Sequence, residues 1–383
     1  MSATSLSSLF RQSNLTINNT ALSTLHKKIR ALPAEGGGGT STMEGKFYLW
    51  PADYMADPSV HVWNGRLYIY PSHDWDAGVG DDDSGAEYEM KDYHVFSTDD
   101  LEAVCRGEKE LVDHGCILKL EDIPWASHQL WDNDVQEKDG KYYMYFPAKD
   151  KTEIFRTGVA VADSPEGPFK PLNDPMHGSY SIDYAVLKDD DGEYYFYLGG
   201  IWGGQLQWYK DNKLAFNEVG PACPPPGDTE GIMPAKKSEV DALPSRVARL
   251  APDMMHFAEE PKPVIILGED GKPLKADDPH RFFEASWCHK YNGKYYFSYS
   301  TGDTHMICYA IGDNPYGPFT YKGVVLTPVK AGWTTHHSIV EFKGKWYLFH
   351  HDSAPSGGVN SLRSLKVAEL HYNEDGTIQT IEG

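Results

Sequence analysis

Apolar and polar positions along the chain repeat one short pattern five times. An apolar strand leads into a tight turn ending in glycine, and a burst of aromatic residues follows. The copies read DPSVHVWNGRLYIY from Asp57, DNDVQEKDGKYYMY from Asp132, DYAVLKDDDGEYYFY from Asp183, EASWCHKYNGKYYFSY from Glu284 and HHSIVEFKGKWYLF from His336. Asn64-Gly65, Asp139-Gly140, Asp191-Gly192 and Asn292-Gly293 are hairpin signals; Lys343-Gly344 is weaker by composition but holds the same frame. Gly293 and Gly344 stand about 50 residues apart, near the repeat length of a propeller blade. A second signature, ADSPEGPF at 162–169 and GDNPYGPF at 312–319, marks a repeated exit from a third strand. Long helical periodicity is scarce. The pattern predicts an all-β chain folded as one five-bladed β-propeller domain over 43–383.

Two segments stand outside the repeat. Residues 1–42 are rich in Ser, Thr and Asn and end in the run Gly36–Gly39. They read as a flexible leader or an added extension, with one short amphipathic helix from Asn19 to Leu32. The segment 203–280 reads as a long insertion around blade 4, in a position to cover the site. It contains Pro224-Pro225-Pro226, a mixed-charge helix predicted over Ser238–Leu250 and a turn at Glu269-Asp270-Gly271.

Aligning the copies on Val60, Val135, Val186, Trp287 and Ile339 exposes a second rule. Three residues upstream stand Asp57, Asp132, Asp183, Glu284 and His336, all ionisable or able to bind metal. A structural repeat alone requires nothing of the kind. In a propeller the inner strands run toward one end of the axis, so this rule predicts a ring of such groups around one pocket.

Composition narrows what that pocket takes. The net charge of −21 over 383 residues argues against nucleic-acid binding, which needs a basic surface. With 24 Tyr, 15 Phe and 10 Trp, the chain has aromatic faces for half-buried strands or for sugar rings. Cys105, Cys116, Cys223, Cys288 and Cys308 form no CxxC pair and are expected to be free thiols. No run of about 18 apolar residues suggests a membrane span. The first residues lack the apolar core of a signal peptide, which favours the cytoplasm over export unless 1–42 replaced one. Asn14 and Asn18 fit the glycosylation pattern but carry little weight in that setting. Asp81–Asp83 and Asp189–Asp191 read as solvated turn charges.

Several carboxylates in one pocket raise one another's pKa, and burial raises it further. One held protonated can protonate a leaving group, while an ionised one activates water. That is the arrangement of glycoside hydrolysis, with inverting pairs roughly 6.5–9.5 Å apart. A third carboxylate can tune and orient the acid.

Ala56-Asp57-Pro58 opens blade 1, and Ser181-Ile182-Asp183 precedes Asp190-Asp191-Gly192 in blade 3. Glu284 opens blade 4, Thr335-His336-His337-Ser338-Ile339 opens blade 5, and Arg363 lies in LRSLKVAELHYNEDG. From Met55 to Gly376 these elements resemble the compact members of glycoside hydrolase family 43, an inverting five-bladed propeller family. The resemblance implies Asp57 as general base, Asp183 as modulator and Glu284 as general acid. It implies Arg363 as a sugar contact and His336 as a residue that helps hold calcium, largely through water. Trp131 is then a candidate sugar-stacking wall, with core packing as its other use. The chain departs from the family at Trp131-Asp132-Asn133-Asp134, where Trp-Ala-Pro-Asp is common, and Asp132 becomes a candidate charge beside the sugar. It also departs at Glu284-Ala285-Ser286 and Asp183-Tyr184, where Glu-Gly-Pro and Asp-Pro are usual.

The expected activity is removal of a terminal pentose, β-D-xylose or α-L-arabinofuranose, from plant cell-wall oligosaccharides. A related glycosidase acting on galactan, and a propeller that binds glycan or protein without cleaving it, remain as alternatives.

Overall fold

A computed structural model describes residues 46–50, 52–81, 85–215 and 237–383. The leader with its helix and both Asn-x-Thr sites lies outside these residues, as do Cys223 and the triple proline.

Five antiparallel sheets form the five blades. Blade 1 runs Met55–Trp63, Arg66–His73, Asp92–Thr98 and Val112–Lys119. Blade 2 is built on Asp134–Lys138, Lys141–Asp150 and Phe155–Ala162, with Lys170–Pro171 outermost. Blade 3 runs Ala185–Lys188, Tyr194–Leu198, Arg246–Arg249 and Lys262–Pro263. Blade 4 runs Glu284–Tyr291, Lys294–Ser300, Ile307–Gly312 and Phe319–Leu326. In blade 5, Ser338–Phe342, Lys345–Asp352 and Ser364–Leu370 are completed by the first strand of the chain, Lys46–Tyr48. The two ends of the domain therefore meet in one sheet.

The aromatic bursts fill the seams between blades. Tyr145 meets Phe196 edge-on at 5.2 Å across blades 2 and 3, and Tyr197 meets Phe297 at 5.6 Å across blades 3 and 4. Trp287 of blade 4 donates its indole N–H to the Ile339 carbonyl of blade 5 at 3.0 Å.

Four hairpins have two-residue loops in which both residues take positive φ. These are Asn64-Gly65, Asp139-Gly140, Asn292-Gly293 and Lys343-Gly344. Lys343 adopts φ 53° despite its side chain. Blade 3 differs, because Lys188 pairs with Tyr194 and leaves a longer loop. Asp189 in that loop is not a solvated charge. It is buried and takes hydrogen bonds from Lys290 Nζ at 2.7 Å and Tyr295 Oη at 2.6 Å, joining blade 3 to blade 4.

The described residues of segment 203–280 do not form an insertion around blade 4. They supply the outer half of blade 3, and a two-residue strand, Ile266–Leu267, lies parallel against the outer strand of blade 4. No helix spans Ser238–Leu250. Pro244 removes an N–H and clashes with a preceding turn, and Arg246–Arg249 pairs with Tyr195–Leu198 instead. The turn at Glu269-Asp270-Gly271 forms as expected, closed by the Gly268 N–H on Lys272 O. Cys105, Cys116, Cys288 and Cys308 form no disulfide. Among the described residues no helix is long and apolar enough to cross a membrane.

Candidate active site

All five residues of the upstream frame converge. Asp57, Asp132, Asp183, Glu284 and His336 line one cavity of about 270 Å³ at the entry ends of the inner strands. Trp131 and Arg363 line it too.

The backbone presents three of these side chains through uncommon geometry. Asp57 has φ 43°, Asp183 φ 59° and Ala285, next to Glu284, φ 56°. In blade 1 the register slips between Ala56 and Ser59, and in blade 4 between Glu284 and Trp287. A bulge re-aims a side chain at the edge of a sheet, here toward the axis. Left-handed backbone costs a non-glycine residue on the order of 1–2 kcal/mol, least for Asp and Asn.

Asp57 is 6% exposed and almost fully committed. Arg363 grips it with two parallel bonds, Nη1 to Oδ1 at 2.7 Å and Nη2 to Oδ2 at 2.8 Å. Burial opposes its charge, yet the Arg363 guanidinium holds its carboxyl well below the usual range. Its backbone N–H donates to His351 Nδ1 at 3.1 Å, while His351 Nε2 lies 3.0 Å from the Thr334 carbonyl. Those partners require the neutral imidazole with its proton on Nε2. Burial agrees, pushing the His351 pKa down to about 3.

Arg363 departs from its expected role. Its Nε and Nη2 also hold Asp74, at 2.8 and 2.7 Å, and its Nη1 reaches Thr334 Oγ1 at 3.2 Å. All five N–H groups are taken, so none is free for a sugar hydroxyl. Tyr88 covers one face of the guanidinium at 4.9 Å. Arg363 fixes the charge and aim of Asp57. Asp74, wholly buried beside it, is raised to about 6 by that burial against the pull of Arg363.

Asp132 is likewise no free charge awaiting a sugar. Its Oδ1 accepts the Asp183 N–H at 3.2 Å and its Oδ2 the Tyr184 N–H at 3.1 Å. Asp134, two residues on, accepts Val186 N–H from blade 3 and Ser59 Oγ from blade 1, both at 2.6 Å. The Asp-Asn-Asp stretch thus ties blade 2 to its neighbours.

Asp132 and Asp183 also share a side-chain hydrogen bond, and burial raises both. Two backbone donors favour the ionised form of Asp132, so the shared proton resides on Asp183. Asp183 Oδ2 accepts the Ala285 N–H at 2.7 Å, which fixes the peptide following Glu284. Glu284 itself is pushed up to about 8, first by burial, then by the charge of Asp57, with Asp132 adding to it. The cavity therefore holds an ionised Asp57 and a protonated Glu284 together near neutral pH.

His336 Nδ1 lies 3.8 Å from Asp57 Oδ1 and 3.9 Å from Asp183 Oδ1. Burial keeps the ring neutral, hence able to ligate a metal. Calcium takes six to eight oxygens, so one imidazole and two nearby carboxylates fit a cation held mainly by water, not a shell of protein atoms alone.

Trp131 borders the cavity, but its ring is also locked in place. It packs on Phe155 at 4.6 Å, and its indole N–H reaches Tyr88 O at 2.8 Å. A Cβ on Gly85 would fall 2.6 Å from it. The repeat frame did not point to the other aromatic walls, Trp202, Phe283 and Trp333, which sit on connecting segments. Trp202 stacks with Trp333 at 6.0 Å and meets Phe283 edge-on at 5.3 Å. Of the former "insertion", the cavity is lined only by Trp202's neighbours Gly203 and Gly204, among the described residues. Asp81, expected as a solvated charge, borders the cavity and accepts from Asn360 Nδ2 at 2.8 Å.

Glycosyl hydrolases family 43 matches residues 51–221 and 244–378. The chain is a family 43 glycoside hydrolase. A xylosidase/arabinosidase of Bacteroides ovatus is 64% identical, the match covering 88% of this chain and 98% of that one. A β-xylosidase of Xylanibacter ruminicola is 61% identical over 88% and 99% of the two chains. A solved β-xylosidase superposes with a TM-score of 0.82 at 60% identity, covering 89% of this chain and 99% of its own. A family 43 β-xylosidase/α-arabinofuranosidase from a compost microbial metagenome, solved with xylotriose in a calcium-free form, gives 0.79 at 55% identity, covering 86% and 95%. For this family 43 hydrolase the fold expected from the repeat and the enzymatic class implied by the resemblance are both correct.

Proposed function

We propose that the enzyme releases a terminal pentose, β-D-xylose or α-L-arabinofuranose, from plant cell-wall oligosaccharides with inversion. The reading is carried by the opposite protonation states of two buried acids in one cavity. Asp57, ionised in the grip of Arg363, takes the proton of a water that attacks the anomeric carbon. Glu284, protonated, gives its proton to the departing oxygen. Asp183 acts as a positioning residue through the Ala285 N–H, while the charge of Asp132 helps keep Glu284 high. The names borne by the relatives support the sugar class. A calcium ion near His336, when bound, would add fixed positive charge beside Asp57 and Asp183.

Nitrophenyl β-xyloside and α-arabinofuranoside should both be cleaved, and galactoside poorly. A proton NMR time course on xylobiose should show the α-anomer of xylose first. Retained configuration at first turnover overturns the mechanism, and a galactoside preference overturns the substrate class.

A further inference from the structure

Outside the catalytic cavity, blade 1 gathers a second set of donor atoms. Asp92 and His94 alternate on one strand and so project to the same face of the sheet. Ser72 pairs with Tyr93, which brings His73 alongside Asp92. One donor atom from each of His73, Asp92 and His94 lies within 4.8 Å of the others, and among the described residues no other such trio occurs.

We propose that His73, Asp92 and His94 form a binding site for a zinc-class divalent metal, separate from the catalytic centre. The first argument is spacing. Donors around a tetrahedral zinc at its usual bond lengths stand roughly 3.3 Å apart. His73 Nδ1 is 2.6 Å from Asp92 Oδ1, His94 Nε2 is 3.7 Å from Asp92 Oδ2, and the three donors lie within 4.8 Å of one another, so the hydrogen-bonded pair would open and the second imidazole close in around the ion.

The second argument is the outer layer. Metal-binding imidazoles characteristically offer their far nitrogen to a carboxylate. The far nitrogen of His73, Nε2, is 3.2 Å from Asp53 Oδ2. The far nitrogen of His94, Nδ1, is 4.0 Å from Asp113 Oδ1; it is buried and has no hydrogen-bond partner. Each ring thus faces the shared carboxylate on one side and a private one on the other. Two imidazoles and a carboxylate suit zinc rather than calcium, which prefers oxygen. The ion would replace the proton shared by His73 and Asp92, which passes to solvent.

The position gives the site a consequence. His73 and Asp92 flank the two ends of the 74–91 connection, which carries Asp74, the anchor of Arg363, and the cavity-lining Glu87 and Tyr88. A metal there joins the two ends of a segment that shapes the catalytic cavity.

The test is calorimetric titration of the calcium-saturated full chain with zinc chloride, alongside zinc-dependent melting. One equivalent should bind and raise the melting temperature. His94→Gln and Asp92→Asn should each weaken binding about 100-fold, and Asp53→Asn, which leaves every ligand in place, about tenfold. His256→Ala, at an exposed His–Asp pair, should change nothing. Turnover of His94→Gln without zinc should match the parent. Absence of zinc binding by the parent, or binding left unchanged in both His94→Gln and Asp53→Asn, overturns the site.

Discussion

The two ends of each inner strand solve one backbone problem in opposite ways. At the hairpin end, left-handed residues are Asn, Asp or Gly in four of the five blades, exposed and easily satisfied. At the cavity end they are Asp57, Asp183 and Ala285, buried and chosen for what they present. The first end makes the strand turn. The second stores strain to aim the base Asp57, its neighbour Asp183 and the peptide that follows Glu284. Structural economy and chemistry are separated by the length of one strand.

The largest effects should come from the cavity end. Asp57→Asn and Glu284→Gln should each lower kcat about 10²–10⁴-fold while leaving the melting curve nearly unchanged. Near-parent turnover in either would remove that residue from the chemistry.

Arg363→Ala should destabilise by about 3–5 kcal/mol in urea unfolding, because it leaves Asp57 and Asp74 buried without their counter-charge. A loss of activity with unchanged stability would restore Arg363 to a sugar contact.

The pH profile separates the acids. Glu284 must be protonated to act, so kcat/KM should fall as pH rises through about 8. The ionised Asp132 favours that proton, so in Asp132→Asn the basic limb should move to lower pH. An unmoved limb would make Asp132 a purely structural tie.

The smallest effects compare strain directly. Ala285→Gly and Lys343→Gly both relieve a left-handed side chain and should each stabilise by at most about 1 kcal/mol, offset in part by glycine's greater unfolded freedom. Only Ala285→Gly should lower turnover, since it loosens the peptide held by Asp183. Equal turnover in both would mean the cavity-end strain is incidental.

The repeat made much of this legible. Five copies in one frame reported the blades, and the ionisable residue three places before each strand anchor reported the ring. What stayed hidden depends on contacts across hundreds of residues. Arg363 meets Asp57 across 306 positions, with no local pattern to announce it. Asp74 and His351 follow ordinary strand residues, and their roles appear only once the blades close. The stretch before Leu250 reads as a mixed-charge helix, but Pro244 and the open edge of blade 3 decide its conformation. Trp202 and Trp333 sit on connections, where a strand-based frame has nothing to align.

The closure of blade 5 by Lys46–Tyr48 bears on how the protein is made. During synthesis the base emerges from the ribosome early and its guanidinium partner near the end. The first strand waits for the same late segment, pairing Lys46 with Ala368. A nascent chain therefore holds Asp57 as an ordinary, water-exposed carboxylate until the last blade arrives. Ring closure and creation of the charged pair are one event, so an incomplete chain carries its catalytic residues without the environment that makes them catalytic.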